Sequence, residues 1–144
     1  MNKQEMLELM RSNPAFYLAT VDGDQPRVRG MLLFRADENG LVFHSSTMKE
    51  VYAQIQNNPK VECCFNDFKN GCQLRVRGQL EIVNDNALKD EIASHPSRAF
   101  LKPWKESGEL SDFYQTFAVF RMTDGVGVTW TMDTNFAPKV DVPL

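Results

Sequence analysis

The sequence predicts a mainly β (α+β) domain, an antiparallel barrel with a few helices packed on its outside or ends. Three observations carry this. Stretches with strand character outnumber helical ones. Several are joined by hairpin-like turns such as Asp22-Gly23-Asp24, Asp37-Glu38-Asn39-Gly40 and Asp124-Gly125. Strands and helices do not alternate and no Gly-x-Gly-x-x-Gly occurs, so a doubly wound parallel sheet with a dinucleotide site is not expected.

The elements follow in order. Met6, Leu7, Leu9 and Met10 sit between polar residues over Lys3 to Arg11, which suits a short amphipathic helix ended by Ser12-Asn13-Pro14. Phe16 to Val21 and Arg27 to Arg35 read as the strands of a hairpin. Leu41 to Ser45 is a third strand. Met48, Val51, Tyr52 and Ile55 then recur at helical spacing, with Ser46 or Thr47 as the expected cap and Asn57-Asn58-Pro59 as the stop. Val61 to Phe65 is a strand. Cys72 to Val83 reads as the longest strand, with Leu74, Val76, Gly78, Leu80 and Ile82 on one face and Gln73, Arg75, Arg77, Gln79 and Glu81 on the other. Asn84 or Asp85 caps a helix carrying Leu88 and Ile92, which His95-Pro96 ends. Ser97 to Ser111 reads as irregular, Phe113 to Met122 as an aromatic-rich strand, and Val126 to Met132 as the last strand. Asn135 to Leu144 is a tail.

The chain has 144 residues, which suits a single domain over 1–144 with a real core. Its net charge of −3 argues against nucleic acid, which wants a basic face, but does not exclude a small anionic ligand, because local charge decides that. No apolar run is long enough to span a bilayer, and Met1 to Glu5 lacks the features of a signal peptide, so a cytoplasmic protein is expected. Cys63, Cys64 and Cys72 form no C-x-x-C pair, and His44 and His95 are far apart in sequence. Neither a disulfide framework nor a metal site is expected.

Three features point to a bound anion. In Phe43-His44-Ser45-Ser46-Thr47-Met48-Lys49-Glu50, a strand runs through hydroxyls into a helix start with a lysine beside it. Free amide N–H groups, the helix dipole, hydroxyls and a cation together can hold a phosphate; the same residues also suit an ordinary capped helix. Arg27-Val28-Arg29 and Arg75-Val76-Arg77 each put two guanidiniums on one side of a strand. Such pairs suit phosphate recognition, or a solvated face paired with Glu62 and Glu81.

The order of Phe16-Tyr17-Leu18-Ala19-Thr20-Val21-Asp22-Gly23, Gln25-Pro26-Arg27-Val28-Arg29, Ser45-Ser46-Thr47-Met48-Lys49, Asn58-Pro59-Lys60-Val61 and Leu74-Arg75-Val76-Arg77-Gly78 resembles the pyridoxamine-5′-phosphate-oxidase-like FMN-binding split-barrel superfamily. Gly127 to Met132 and Asn135 to Lys139 are similar to its small bacterial general-stress and nitroimidazole-resistance-like branch. The resemblance implies a split β-barrel that forms a homodimer with FMN at the subunit interface. It implies flavin contacts from Arg27, Val28, Arg29 and Gly30, and from His44, Ser45, Ser46, Thr47 and Lys49. It also implies contacts from Gln73 and Arg75 across the interface, and from Trp130 over the ring. Those residue types suit the ligand. Arg27 or Arg29 and Lys49 match the phosphate, Gln73 can donate to and accept from the ring edge, and Trp130 offers a flat wall. His44 has no adjacent acid or nucleophile and is not assigned catalysis; the catalytic residues are left open.

The chain departs from true pyridoxamine-phosphate oxidases in its ending. Lys139 is the only basic residue after Trp130, where those enzymes carry an arginine-rich motif. The resemblance therefore implies an FMN-dependent oxidoreductase passing electrons from a nicotinamide donor, NAD(P)H, to a small acceptor. A flavin store or sensor without turnover, a haem- or F420-binding variant, and a barrel without cofactor are the alternatives.

Overall fold

The computed structural model describes residues 1–107 and 112–144. Its order is α1 (Lys3–Ser12), β1 (Ala15–Asp22), β2 (Gln25–Asp37), β3 (Gly40–Ser46), α2 (Glu50–Asn57), β4 (Lys60–Asp67), β5 (Cys72–Gln79), β6 (Glu81–Ile82) and α3 (Asn86–Ser94). A 3₁₀ helix (Pro96–Leu101), α4 (Lys102–Ser107), α5 (Phe113–Thr116), β7 (Phe117–Met122), β8 (Val126–Thr131) and β9 (Val142–Pro143) follow. The strands form one antiparallel sheet in the order β6-β7-β3-β2-β1-β4-β5-β8-β9, curled into the expected split barrel. No helix among the described residues is long and apolar enough to cross a membrane.

β2 is the corner of the barrel. Its residues 25–32 pair with β1, and only Leu33 onward pairs with β3. The register shifts between Leu33 and Arg35. Such a bulge bends a strand and re-aims its side chains. At Gly40, φ is +111° and a Cβ would lie 2.2 Å from the Met122 carbonyl oxygen, so the turn into β3 admits only glycine.

Two cores lie on opposite faces of β3. Leu41 and Phe43 point into the barrel, where Phe43 meets Phe16 and Phe120, and Phe16 stacks on Phe65 at 4.7 Å. Helix α1 packs Met6, Leu7, Leu9 and Met10 into that interior. A reciprocal Asn2–Glu5 capping box fixes its start. Val42 points the other way, into a second core with Leu88, Ile92, Leu101, Phe113, Phe117 and Val119.

The structure corrects four expected boundaries. The strand expected over Cys72 to Val83 is two: Leu80 turns its N–H to the Pro59 carbonyl, and β6 pairs with β7 at the opposite edge. Residues 113–116 form helix α5 rather than strand, because Asp112 caps it by accepting from the Tyr114 N–H at 3.0 Å. The segment expected to be irregular is helical over Pro96–Leu101 and Lys102–Ser107; residues 108–111 of it lie outside the described residues. Helix α2 starts at Glu50, and neither Ser46 nor Thr47 caps it.

Phe43 is fully buried between three elements of the barrel. Phe43→Ala is expected to lower stability by about 3–5 kcal/mol. Urea unfolding followed by far-ultraviolet circular dichroism measures it.

Candidate functional site

The bulge leaves one edge of β2 bare. Among the described residues no strand pairs with its outer edge before Leu33. A cleft of about 530 Å³ opens there. Arg27 to Met31 of β2 form one wall, Ser45 at the end of β3 another, and Met48 to Val51 with Gln54 of α2 the third.

Arg29 is its central cation. It lies on the same face of β2 as Arg27 and reaches inward beside Leu18 and Thr20 of β1. Its Nη1 donates to the Thr20 hydroxyl at 2.7 Å and to the Leu18 carbonyl at 3.2 Å, and its Nη2 donates to Gln54 Oε1. All three acceptors are neutral. No carboxylate of the described residues lies within ion-pairing distance of Arg29 or Lys49. Burial, and then Arg27, hold the Arg29 pKa below its ordinary value, against an opposing pull from Glu50. A partly desolvated guanidinium without a counter-ion is stabilised by an incoming anion.

The neighbours add donors. Ser45 is only 7% exposed, and its hydroxyl has no partner among the described residues. Lys49 is the N-cap residue of α2 and makes no capping bond, so the Glu50 and Val51 amides at the helix start find no acceptor among the described residues. Arg27 is more exposed and pairs with Asp22 at 3.3 Å.

Other sequence-predicted residues lie elsewhere. Ser46 Oγ accepts from the Met48 N–H at 3.1 Å, which shapes the turn before α2. Thr47 donates from its N–H to the Thr116 carbonyl and from its hydroxyl to the Gln115 carbonyl, tying the turn to α5. His44 points away from the cleft, because adjacent strand residues face opposite sides. Its Nε2 accepts from Arg98 Nε at 2.9 Å, and its ring packs on Phe117. Gln73, Arg75 and Trp130 share the outer face of the sheet. Trp130 is directly opposite Gln73, which donates to Asn66, and Arg75 lies 3.6 Å from Glu62. Gln73 is three strands from Gly30, roughly 14 Å across the sheet.

Sequence reasoning missed Thr20 and Gln54. One signal for Gln54 was available. On α2 it is buried with Val51 and Ile55 at helical spacing, a glutamine on a core-facing stripe.

The model for the pyridoxamine 5′-phosphate oxidase family matches residues 3–123. The chain belongs to that family. A pyridoxine/pyridoxamine 5′-phosphate oxidase of Rhodopseudomonas palustris is 33% identical over 104 residues, covering 69% of this chain and 49% of the relative. One from Agrobacterium fabrum is 34% identical over 91 residues, covering 62% and 44%. The chain thus spans about half the length of the curated relatives it matches. A NimC/NimA family protein from Clostridium acetobutylicum superposes with a TM-score of 0.76 at 28% identity, over 98% of this chain and 92% of that one. An FMN-binding protein related to pyridoxamine 5′-phosphate oxidase, from Nostoc punctiforme, shares the fold with a TM-score of 0.62 at 19% identity, over 96% and 87%.

Burial, the Arg98 charge and the Lys49 charge push the His44 pKa down to about 4. The fold therefore holds the neutral imidazole, and the unfolded chain takes up a proton first. This contribution is complete above pH ~6.5, the ordinary histidine value, and is lost as pH falls toward 4. The expected loss is about 3 kcal/mol relative to His44→Gln, which has no such titration. Urea midpoints of both proteins between pH 7.5 and 4 check it.

Proposed function

We propose that the β2–α2 cleft binds FMN and that the protein is an FMN-dependent oxidoreductase. One observation carries the reading: the partly buried, carboxylate-free Arg29 faces a cleft it shares with Ser45, Lys49 and the uncapped start of α2. A phosphate monoester fits that donor set in charge and in hydrogen-bond sense. The bare edge of β2 beside it offers main-chain donors and acceptors, which suits the polar edge of a flavin ring. The family and the shared fold of an FMN-binding relative support the same ligand. Neither His44 nor His95 lines the cleft, which favours FMN over haem.

Bound FMN would supply the redox chemistry, accepting reducing equivalents from NAD(P)H and passing them to a small oxidised acceptor. The chain's residues bind and orient. Arg29 and Lys49 neutralise the phosphate, the Ser45 hydroxyl and the α2 amides fix its oxygens, and β2 aligns the ring. The proposal does not extend to pyridoxamine phosphate as the substrate.

The site is proposed to be completed by a second copy. Tyr17 and Val28 are 56% and 69% exposed on the outer face of β1 and β2, next to Gly30 and Cys64. This apolar strip borders the cleft. A two-fold dimer packed on it would bring Gln73, Arg75 and Trp130 of one copy toward the cleft of the other, a reach their own chain does not allow.

Retention of about one FMN per chain is expected in the absorbance spectrum after removal of free ligand. Bleaching by NADH or NADPH without oxygen supports the oxidoreductase; retention without bleaching identifies a store or sensor. Arg29→Ala and Lys49→Ala are each expected to weaken FMN binding by about 1.5–3 kcal/mol, read by flavin fluorescence titration. Unchanged affinity in both refutes the phosphate placement. Val28→Asp is expected to turn a dimer into a monomer in light scattering coupled to sizing, with loss of FMN. A wild-type monomer at micromolar concentration contradicts the shared site.

A further inference from the structure

Behind Arg29 lies a closed polar triangle. Thr20 is 2% exposed and Gln54 6%. The Thr20 hydroxyl accepts from Arg29 Nη1 at 2.7 Å and donates to Gln54 Oε1 at 2.6 Å. Arg29 Nη2 donates to the same Oε1. Chemistry fixes every direction in this triangle. Guanidinium has donors only, so the Gln54 atom facing it must be the amide oxygen. The hydroxyl receives one proton from Arg29 and sends its own to Gln54. The Gln54 Nε2 is thereby turned away from both partners. It makes no hydrogen bond among the described residues, and Gln54 lines the cleft.

Among the described residues no side-chain nitrogen or oxygen sealed from solvent lacks a partner, so the free Gln54 nitrogen is reached from the cleft it lines, and a donor left free in an anion cleft has an evident use. We propose that Thr20 and Gln54 are positioning residues that lock the Arg29 fork, and that the Gln54 amide donates directly to a phosphate ester bound in the cleft. This rests on the reading above that the cleft holds a phosphate. It adds a ligand contact and explains why the position is neutral. A glutamate there would pair with Arg29 and cancel the charge meant for the ligand. Glu50 is the one carboxylate among the lining residues, and it stands outside ion-pairing distance of Arg29.

The test compares FMN with riboflavin, which carries the same ring without the phosphate. Dissociation constants for both are measured by flavin fluorescence on wild type, Gln54→Met, Gln54→Glu and Thr20→Val, with circular dichroism melts on each protein. Wild type is expected to prefer FMN by about 100-fold or more, since one charged hydrogen bond is worth roughly 10- to 150-fold. Gln54→Glu is expected to cut that preference at least ~10-fold, and the near-isosteric Gln54→Met and Thr20→Val several-fold. A wild type without preference for FMN overturns the phosphate reading itself. A wild-type preference that survives in the folded variants overturns only the roles given to Thr20 and Gln54. Equal weakening of both ligands also overturns those roles, because it marks a general structural effect. Should Gln54→Glu fail to fold, the ratio in Thr20→Val decides.

Discussion

The separation of β2 from β3 at the bulge is the constraint on which the rest of the structure depends. Before Leu33 the strand has a neighbour on one side only. A bare strand edge within a barrel is normally a liability, since its main-chain groups lack partners. Here the parting creates the space for the cleft, and α2 roofs the gap instead of another strand. Arg98 repairs the far end of the split. From the 3₁₀ helix its Nη2 donates to the carbonyls of Leu33 at 2.8 Å and Leu32 at 3.4 Å, where the two strands part. Without that fork, buried carbonyls at the bulge would lose a donor, and the local shape of β2 would lose a reason to persist.

Arg29 and Arg98 make an instructive pair. Each is withdrawn from water, and neither has a carboxylate among the described residues within ion-pairing distance. Arg98 is enclosed by a histidine nitrogen, a hydroxyl and two carbonyls. Its polar demand is met inside the fold, and its role is structural. Arg29 is held from behind by similar neutral acceptors, yet its front opens on the cleft. That contrast separates a brace from a proposed binding group more clearly than overall charge does. The net charge of −3 describes the whole surface, while a ligand feels a wall of Arg27, Arg29 and Lys49 against Glu50 alone.

Much of this was legible in the sequence, for identifiable reasons. Alternation located β5 and β8, and apolar runs between turn signals located β1 to β4; β9, two residues in what reads as a tail, was not legible. The helical spacing of Met6, Leu7, Leu9 and Met10 located α1. The break between β5 and β6 was not legible. Its alternation runs on unbroken, and the reason to switch edges lies in long-range pairing with β7. Helix α5 was hidden because Phe113 and Phe117 also suit a strand; the Asp112 cap was the available sign. In the site, Arg27, Val28, Arg29, Gly30, Ser45 and Lys49 meet at the cleft. Taking His44 to Thr47 as one unit ignored the strand's period of two, which sends His44 and Ser45 to opposite faces. The partners of Arg29 come from β1 and α2, distant in sequence, and no local pattern connects them.

That period of two also links the site to the second core. On β3, Ser45 enters the cleft while His44, its neighbour, is gripped by Arg98 beneath the helical layer. On β2, the carbonyl of Leu33 is held by the same arginine, only a few residues from Gly30 and Met31 on the cleft wall. Thr47 in the following turn is tied to α5 through the carbonyls of Gln115 and Thr116. The position of Ser45 and the opening between β2 and α2 are therefore set from behind by side chains that touch no ligand. Loosening the contact of the 3₁₀ helix with β2 and β3 would shift both walls together, because Arg98 is common to them. On the proposed reading this bracing would hold the phosphate end rigidly, whereas the outer face of β1 and β2, with Tyr17 and Val28 uncovered, has no such support among the described residues of one chain. If the cleft binds an anion as proposed, the asymmetry would place specificity for it within the single chain and leave the rest of the ligand to whatever covers that face.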